Sequence, residues 1–300
     1  MTSTYFPHFI PNIAQNLTEK ESCQLVHQIK QEPIATSLNS QKIKTTYIQG
    51  GEGELPILLL HGFDSSLIEF RRLFPKLTPT TETFALDFLG FGLTDRPLEI
   101  PVTPEAIKAH IYAFWKQLIE RPMVLVGASM GGAAAIDFAL TYPEIVKKLV
   151  LLDSAGFAGG PTMGKLMFPP LDRLAAAFLK SVKVRKRIIE NAYYDRRLAT
   201  EDALYCSLLH LADPNWAKAI ISFTKSGGYN FLRPKISQIP QQTLIIWGEE
   251  DQILGTKDAT RFESTIPDSE LVWIPQSGHV PHLEKPELTT ETILRFFRAS

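Results

Sequence analysis

Residues 127–131 read Gly-Ala-Ser-Met-Gly, a G-x-S-x-G segment. Val124-Leu-Val126 ahead of it is a short apolar run of strand type, and Gly131–Thr141 behind it has helical spacing. A serine set between a strand and a helix, flanked by glycines, sits in a crowded turn that projects its hydroxyl. The helix N-terminus behind it offers unpaired N–H groups. Ser129 is the candidate nucleophile. A serine hydroxyl is a weak nucleophile near neutral pH, so it needs a base. His279 follows the last apolar run, Leu271–Ile274, where a loop can carry its imidazole over Ser129.

The other six histidines have less to offer. His8 and His27 precede the strand-rich part. His110 and His210 fall in helical stretches, where packing or surface roles are the default. His61 ends the first apolar run and has no partner histidine at ligand spacing, so a structural role is expected. His282 competes with His279 and reads as a packing or surface residue.

A carboxylate at another strand end should complete the set. Glu249, Glu250 and Asp251 all follow Leu244–Trp247 and are equivalent by position. Asp153, after Leu149–Leu152, is a rival that reads as a turn or cap residue. The order serine, acid, histidine is the one such strand–turn–helix sites use. A tetrahedral oxyanion also needs donors, and backbone N–H groups supply them. Met130, after the serine, is one. Phe63, in the His61-Gly-Phe-Asp64 loop after the first apolar run, is the other.

These groups need a scaffold that gathers several strand ends. Pro56–Leu60, Phe84–Leu86, Val124–Val126, Leu149–Leu152, Leu244–Trp247 and Leu271–Ile274 suit strands covered on both faces. Helical stretches lie between them, at Leu67–Lys76, Pro104–Ile119, Gly131–Thr141, Lys257–Ile266 and Pro286–Phe297. That alternation predicts an α/β fold with a doubly wound, mostly parallel sheet. Upstream, Thr18 and Glu21 suggest a capping box opening a helix to about Lys30. Strands are expected near Ile34–Leu38 and Ile43–Gln49, with a turn at Gly50–Gly53.

The alternation breaks from about Phe157 to Lys235. Helical periodicity there, over Leu171–Ile189, Thr200–Leu211 and Trp216–Phe223, predicts a helical cap inserted over the strand ends. The expected organisation is an N-terminal arm and helix at 1–33, a core at 34–156 and 236–300, and the cap at 157–235. The cap holds thirteen Lys or Arg and six Asp or Glu, an excess of seven positive charges. The whole chain carries −1, which leaves −8 on the rest.

The chain has 300 residues, of which 44% are hydrophobic and 21% charged, enough apolar surface for a globular core. No overall basic excess points to nucleic acid. Two distant cysteines, Cys23 and Cys206, argue against a disulfide framework or zinc cage and read as buried reduced thiols. No signal-peptide pattern or membrane-spanning run is visible, and a cytoplasmic location is expected.

Five ordered stretches resemble the α/β-hydrolase superfamily, in its cap-bearing branch. They are HGF at 61–63, DFLGFGLTDRP at 87–97, GASMGG at 127–132, WGEEDQI at 247–253 and SGHVPHLEKP at 277–286. The resemblance implies Ser129 as nucleophile and His279 as base. It selects Asp251 through the W-G-x-x-D pattern and makes the Asp87–Pro97 turn structural. A serine at the elbow, where epoxide hydrolases and haloalkane dehalogenases of this fold carry aspartate, implies acyl chemistry. The chain is also similar to meta-cleavage C–C hydrolases around GASMGG. It departs from them at Ala128, where they usually carry Asn, and in a less glycine-rich HGF loop.

The leading expectation is a serine esterase with an acyl-enzyme intermediate and no cofactor or metal. The alternatives are hydrolysis of a carbon–carbon bond in a vinylogous diketone, or a small-molecule receptor on the same fold. The expected partner is an apolar or anionic acyl compound. The basic stretch Lys180–Arg187 reads chiefly as a solvated helix face, with the gathering of anionic substrates or a weak contact to anionic lipid as the functional alternatives.

Overall fold

The computed structural model describes residues 6–157 and 168–299; positions 158–167 of the expected cap lie outside it. Eight strands form one sheet. They are β1 (Lys30–Ile34), β2 (Ile43–Gly50), β3 (Ile57–Leu60), β4 (Thr83–Leu86), β5 (Met123–Ala128), β6 (Val146–Leu152), β7 (Gln242–Gly248) and β8 (Ser269–Ile274). Their spatial order is β1-β2-β4-β3-β5-β6-β7-β8. The β1–β2 and β2–β4 pairs are antiparallel, and the rest are parallel.

The all-apolar runs predicted as doubly covered strands are so for β3, β4 and β5, whose residues are buried throughout. β8 differs. It is the sheet edge, and only Ile274 of its six residues is buried. At the other edge, α1 (Lys20–Gln28) ends before Lys30, and β1 runs through Pro33 rather than starting after it. An edge strand tolerates proline because one side of its backbone needs no ladder partner.

The helices flank the sheet. α2 (Phe74–Leu77) is the remnant of the expected Leu67–Lys76 helix, preceded by a 3₁₀ turn at Leu67–Phe70. α3 (Pro104–Leu118) starts on Thr103, whose hydroxyl accepts the Ala106 N–H at 3.2 Å. α4 (Met130–Thr141) is buried along ten consecutive residues, Met130 to Ala139. Its Gly-Gly-Ala-Ala-Ala start suits a helix packed on all sides.

Between β6 and β7 lies the inserted helical cap: α5 (Leu171–Lys180), α6 (Val182–Ala192), α7 (Glu201–Leu208) and α8 (Trp216–Ser226). The single helix expected over Leu171–Ile189 breaks at Ser181, whose ψ of 126° is extended. Beyond the cap, α9 (Lys257–Thr265) precedes β8, and α10 (Pro281–Glu284) and α11 (Pro286–Arg298) close the chain.

The cap is tied to the core by buried polar contacts. Asp202, at the start of α7, accepts the N–H groups of Thr18 and Glu19 at 2.5 and 2.8 Å and the Ser22 hydroxyl at 2.5 Å. The Thr18–Glu21 capping box does not form; no side chain from α1's own start caps it, and the cap supplies the acceptor. Burial alone would raise the Asp202 pKa, but these hydrogen bonds outweigh it and lower it. Cys206 lies beside this contact and is buried, while Cys23 is only half-buried, contrary to the expectation for both thiols.

Replacing Asp202 with Ala strands two N–H groups and one hydroxyl, and should cost about 2 kcal/mol in urea unfolding. A carboxylate with a lowered native pKa stabilises above its unfolded pKa and loses that contribution as pH falls through the native one. The difference between wild type and Asp202→Ala should therefore shrink in strong acid.

Candidate active site

The crevice forms where the sheet's winding reverses. β3 leads to β4 on one side and β5 leads to β6 on the other, although β3 and β5 are paired neighbours, with Leu60 opposite Gly127. Loops leaving these two strands diverge and leave a hollow at their C-terminal ends. Ser129 and the His61–Asp64 loop face that hollow from adjacent strands.

Ser129 has φ 52° and ψ −117°, a backbone conformation costly for any residue with a Cβ. Its neighbours hold it there. The Ser129 N–H donates to Leu152 O at 2.9 Å, and its carbonyl accepts the Gly132 and Ala155 N–H groups, both at 3.0 Å. Glycine is required at two positions around it. A Cβ on Gly127 would stand 2.3 Å from Gly131 O, and one on Gly131 would stand 2.0 Å from Leu60 O.

His279 and Asp251 meet. The His279 Nδ1 lies 2.9 Å from Asp251 Oδ2, with both residues buried. An ionised carboxylate can only accept, so Nδ1 carries the proton and Nε2 is left as the basic nitrogen. Asp251 Oδ1 accepts the N–H groups of Ile253 and Leu254 at 2.7 and 3.1 Å, which fixes the carboxylate plane. Glu249 and Glu250 are exposed.

Asp153 is closer to this pair than its reading as a turn residue implied. Side-chain atoms of Asp153, Asp251 and His279 lie within 4.8 Å of one another. Asp153 is fully buried with φ 40°, and its Oδ1 accepts the Gly248 N–H at 3.0 Å. Burial and the nearby Asp251 charge push its pKa well above the usual carboxylate range. Three such groups could also gather around a metal ion, but the direct 2.9 Å contact already commits His279 Nδ1 to Asp251.

Among the described residues, no acceptor takes the N–H of Phe63 or of Met130. The Gly62 N–H is occupied: both Glu69 carboxylate oxygens lie 3.1 Å from it. A Cβ on Gly62 would be 3.5 Å from Ser129 Cβ and 3.5 Å from Glu69 Oε2, so Gly62 lies between the serine turn and Glu69. Burial raises the Glu69 pKa to about 7, against the lowering effects of Ser65, Gly62 and Arg71. The sequence carried a faint sign of it, one acid inside the apolar run Leu67-Ile-Glu-Phe70.

His61, His110 and His282 are structural. His61 joins Gly62 O at 2.8 Å through Nδ1 and accepts the Phe88 N–H at 3.2 Å through Nε2. His110 contacts Thr45 Oγ1 at 2.8 Å. His282 is buried beneath Phe70, so it packs rather than facing solvent. The Asp87–Pro97 turn is also a scaffold. Buried Asp87 accepts the Leu67 and Leu93 N–H groups at 2.6 and 2.7 Å, and Arg96 reaches Asp213 of the cap at 3.0 Å.

Asp64 anchors the cap to the loop that carries Phe63. Its carboxylate receives Arg185 from α6, His210 Nε2 at 3.0 Å and Trp216 Nε1 at 2.8 Å. Arg185, read with the basic stretch as a surface cation, is instead buried. On another side of the site, a cavity of about 140 Å³ runs between core and cap. Its lining includes Ser65, Glu69, Ile188, Ile189, Ala192 and Val280.

The matching family model is described as "Alpha/beta hydrolase family" and covers residues 57–292. The alpha/beta hydrolase domain-containing protein VTE7 of Arabidopsis thaliana is 32% identical over 298 residues, spanning 97% of this chain and 90% of that one. The 2-hydroxy-6-oxo-6-(2'-aminophenyl)hexa-2,4-dienoic acid hydrolase of Metapseudomonas resinovorans is 27% identical over 294 residues, 95% of each chain. Among solved structures, a meta-cleavage product hydrolase from Pseudomonas fluorescens superposes with a TM-score of 0.74 at 25% identity. That match covers 89% of this chain and 97% of that one.

Glu69 gives the site a pH signature. An acid whose pKa rises from 4.5 unfolded to about 7 folded binds its proton more tightly when folded. Its effect on stability is absent below pH 4.5 and becomes an increasing loss as pH rises to about 7. Asp87, also raised to about 7 by burial, acts in the same direction. Glu69→Gln should flatten, without abolishing, the fall in melting temperature over this window.

Proposed function

The chain belongs to the alpha/beta hydrolase family and is a hydrolytic enzyme of that fold, and we propose that Ser129, His279 and Asp251 act together on a carbonyl carbon. The observation that carries the reading is the buried 2.9 Å contact from His279 Nδ1 to Asp251, at strand ends near that of the strained Ser129.

In this mechanism His279 Nε2 takes the Ser129 proton as Oγ bonds to the carbonyl carbon. The resulting oxyanion lies between the N–H groups of Phe63 and Met130. Asp251 holds the ring in its tautomer and stabilises the imidazolium. The intermediate collapses and expels a leaving group that takes its proton from His279. Water, deprotonated by the same nitrogen, then releases the acid and regenerates Ser129.

The leaving atom distinguishes two readings. The relatives support carbon: the Metapseudomonas protein is a hydrolase of a hexadienoic acid and the Pseudomonas protein a hydrolase of a meta-cleavage product. On that reading the substrate is a vinylogous diketone whose departing carbanion is stabilised by conjugation and protonated by His279. The second reading, a carboxylic ester, is favoured by Glu69. A carboxyl group against the Gly62 N–H sets a partial negative charge near neutral pH beside the serine, which disfavours a carboxylate-bearing dienoate. The expected cytoplasmic location and the apolar or anionic character of the substrate belong to the same proposal.

The test follows bleaching of a ring-cleavage dienone and hydrolysis of p-nitrophenyl butyrate by the same preparation. The carbon–carbon reading expects kcat/KM at least about tenfold higher for the dienone, and the reverse ranking assigns the ester. Ser129→Ala should lower kcat about 10⁴-fold on either substrate, and a fluorophosphonate should label Ser129 alone. Asp251→Asn should cost about 10³–10⁴-fold. Asp153→Asn, Glu249→Gln and Glu250→Gln should cost less than about tenfold. A crippled Asp153→Asn with an active Asp251→Asn would move the acid one strand over.

A further inference from the structure

The outer face of the cap carries a feature that hydrolysis does not use. Phe168, Leu171, Leu174, Phe178 and Val182 are 56, 50, 61, 64 and 54% exposed. Leu171, Leu174 and Phe178 recur at i, i+3 and i+7 along α5, so they form one stripe. Phe168 lies just before the helix and Val182 just after it. The opposite side of α5 is spent on the protein: Ala176 is buried, and Asp172 is buried and paired with Lys225 at 2.7 Å. The stripe is thus a second apolar face on a helix whose first is already packed.

Its surroundings are cationic. Arg173, Lys180, Lys183, Lys186 and Arg187 are all exposed on α5, α6 and the residues joining them. Arg185 is withdrawn from this surface by Asp64, and Lys186 lies 3.6 Å from Glu201. The two carboxylates between 168 and 190 are Asp172, buried, and Glu190, half-buried. Exposed large apolar side chains beside unbalanced cations form the pattern of a helix lying in a membrane interface. The same cations would repel a second copy docking on this face. No helix among the described residues is long and apolar enough to cross a membrane, so such a contact would be peripheral.

We propose that the α5–α6 face of the cap docks on an anionic lipid surface, with Leu171, Leu174 and Phe178 entering the acyl boundary and Lys180, Lys183 and Arg187 meeting the headgroups. This contact does not depend on which bond the enzyme cleaves. Cations near an anionic leaflet each contribute roughly a fivefold increase in binding, screened by salt.

The test sediments the full chain with phosphatidylcholine vesicles, with and without phosphatidylglycerol. Binding is expected only with phosphatidylglycerol, and should weaken between about 0.05 and about 0.5 M NaCl. Leu174→Ser with Phe178→Ser should lower the partition coefficient at least about tenfold, and Lys183→Glu with Arg187→Glu at least about 25-fold. Both double variants should keep wild-type turnover of a soluble substrate, which shows that they are folded and separates this proposal from the chemistry. Absence of wild-type binding, or undiminished binding by the serine pair, overturns the proposal. So does a dimer in light scattering that the serine pair dissolves while vesicles remain unbound.

Discussion

The burial of one carboxylate, Asp64, constrains the site from above. It lies in the loop that carries Phe63, at φ 50°, and receives donors from three separate parts of the cap. Burial alone would raise its pKa, yet His210, Arg185 and Trp216 together lower it, so the charge is retained. A buried ion is tolerated only when its hydrogen bonds are satisfied, and the sequence provides for this with a guanidinium, an imidazole and an indole. Removing Asp64 would leave Arg185 buried with its charge uncompensated. The cap is therefore placed over the Phe63 loop by a pairing whose loss is more costly than the pairing is beneficial.

His279 is tied to the same cap at another point. The His279 N–H donates to Ala192 O at 2.8 Å, at the end of α6. Glu284 accepts the Tyr194 and Asp195 N–H groups, both at 3.0 Å, and the Gly278 N–H at 2.6 Å. One carboxylate thus spans the segment after α6 and the residue preceding His279. The cap and the loop carrying His279 share hydrogen bonds directly, so cap placement and imidazole placement are a single structural problem.

Much of this was legible in the sequence because it depends on local patterns. A strand–Gly-x-Ser-x-Gly–helix turn announces itself within twenty residues, and apolar runs followed by His or Asp mark strand ends. The antiparallel edge was harder to read, since Pro33 resembles a helix stop whether or not a strand runs through it. The polar contacts between cap and core were not legible at all. Nothing in the basic stretch Lys180–Arg187 distinguishes Arg185 from its neighbours until α6 turns it inward. Asp153 shows the same limit: its closeness to Asp251 follows from β6 and β7 being paired, which spacing along the chain does not state.

The contact between Asp202 and the start of α1 has a consequence for how the chain assembles during synthesis. The Thr18 and Glu19 N–H groups leave the ribosome 184 and 183 residues ahead of the carboxylate that satisfies them. Until α7 emerges, the first helix has an open N-terminus and a short length, which makes it marginal in water. β1 and β2 can pair early as a local hairpin and Glu19 can meet Arg72 before the cap is made, but the Asp202 contact closes only after α7. That contact serves as a late clasp, and translation that stops before α7 leaves a chain without it.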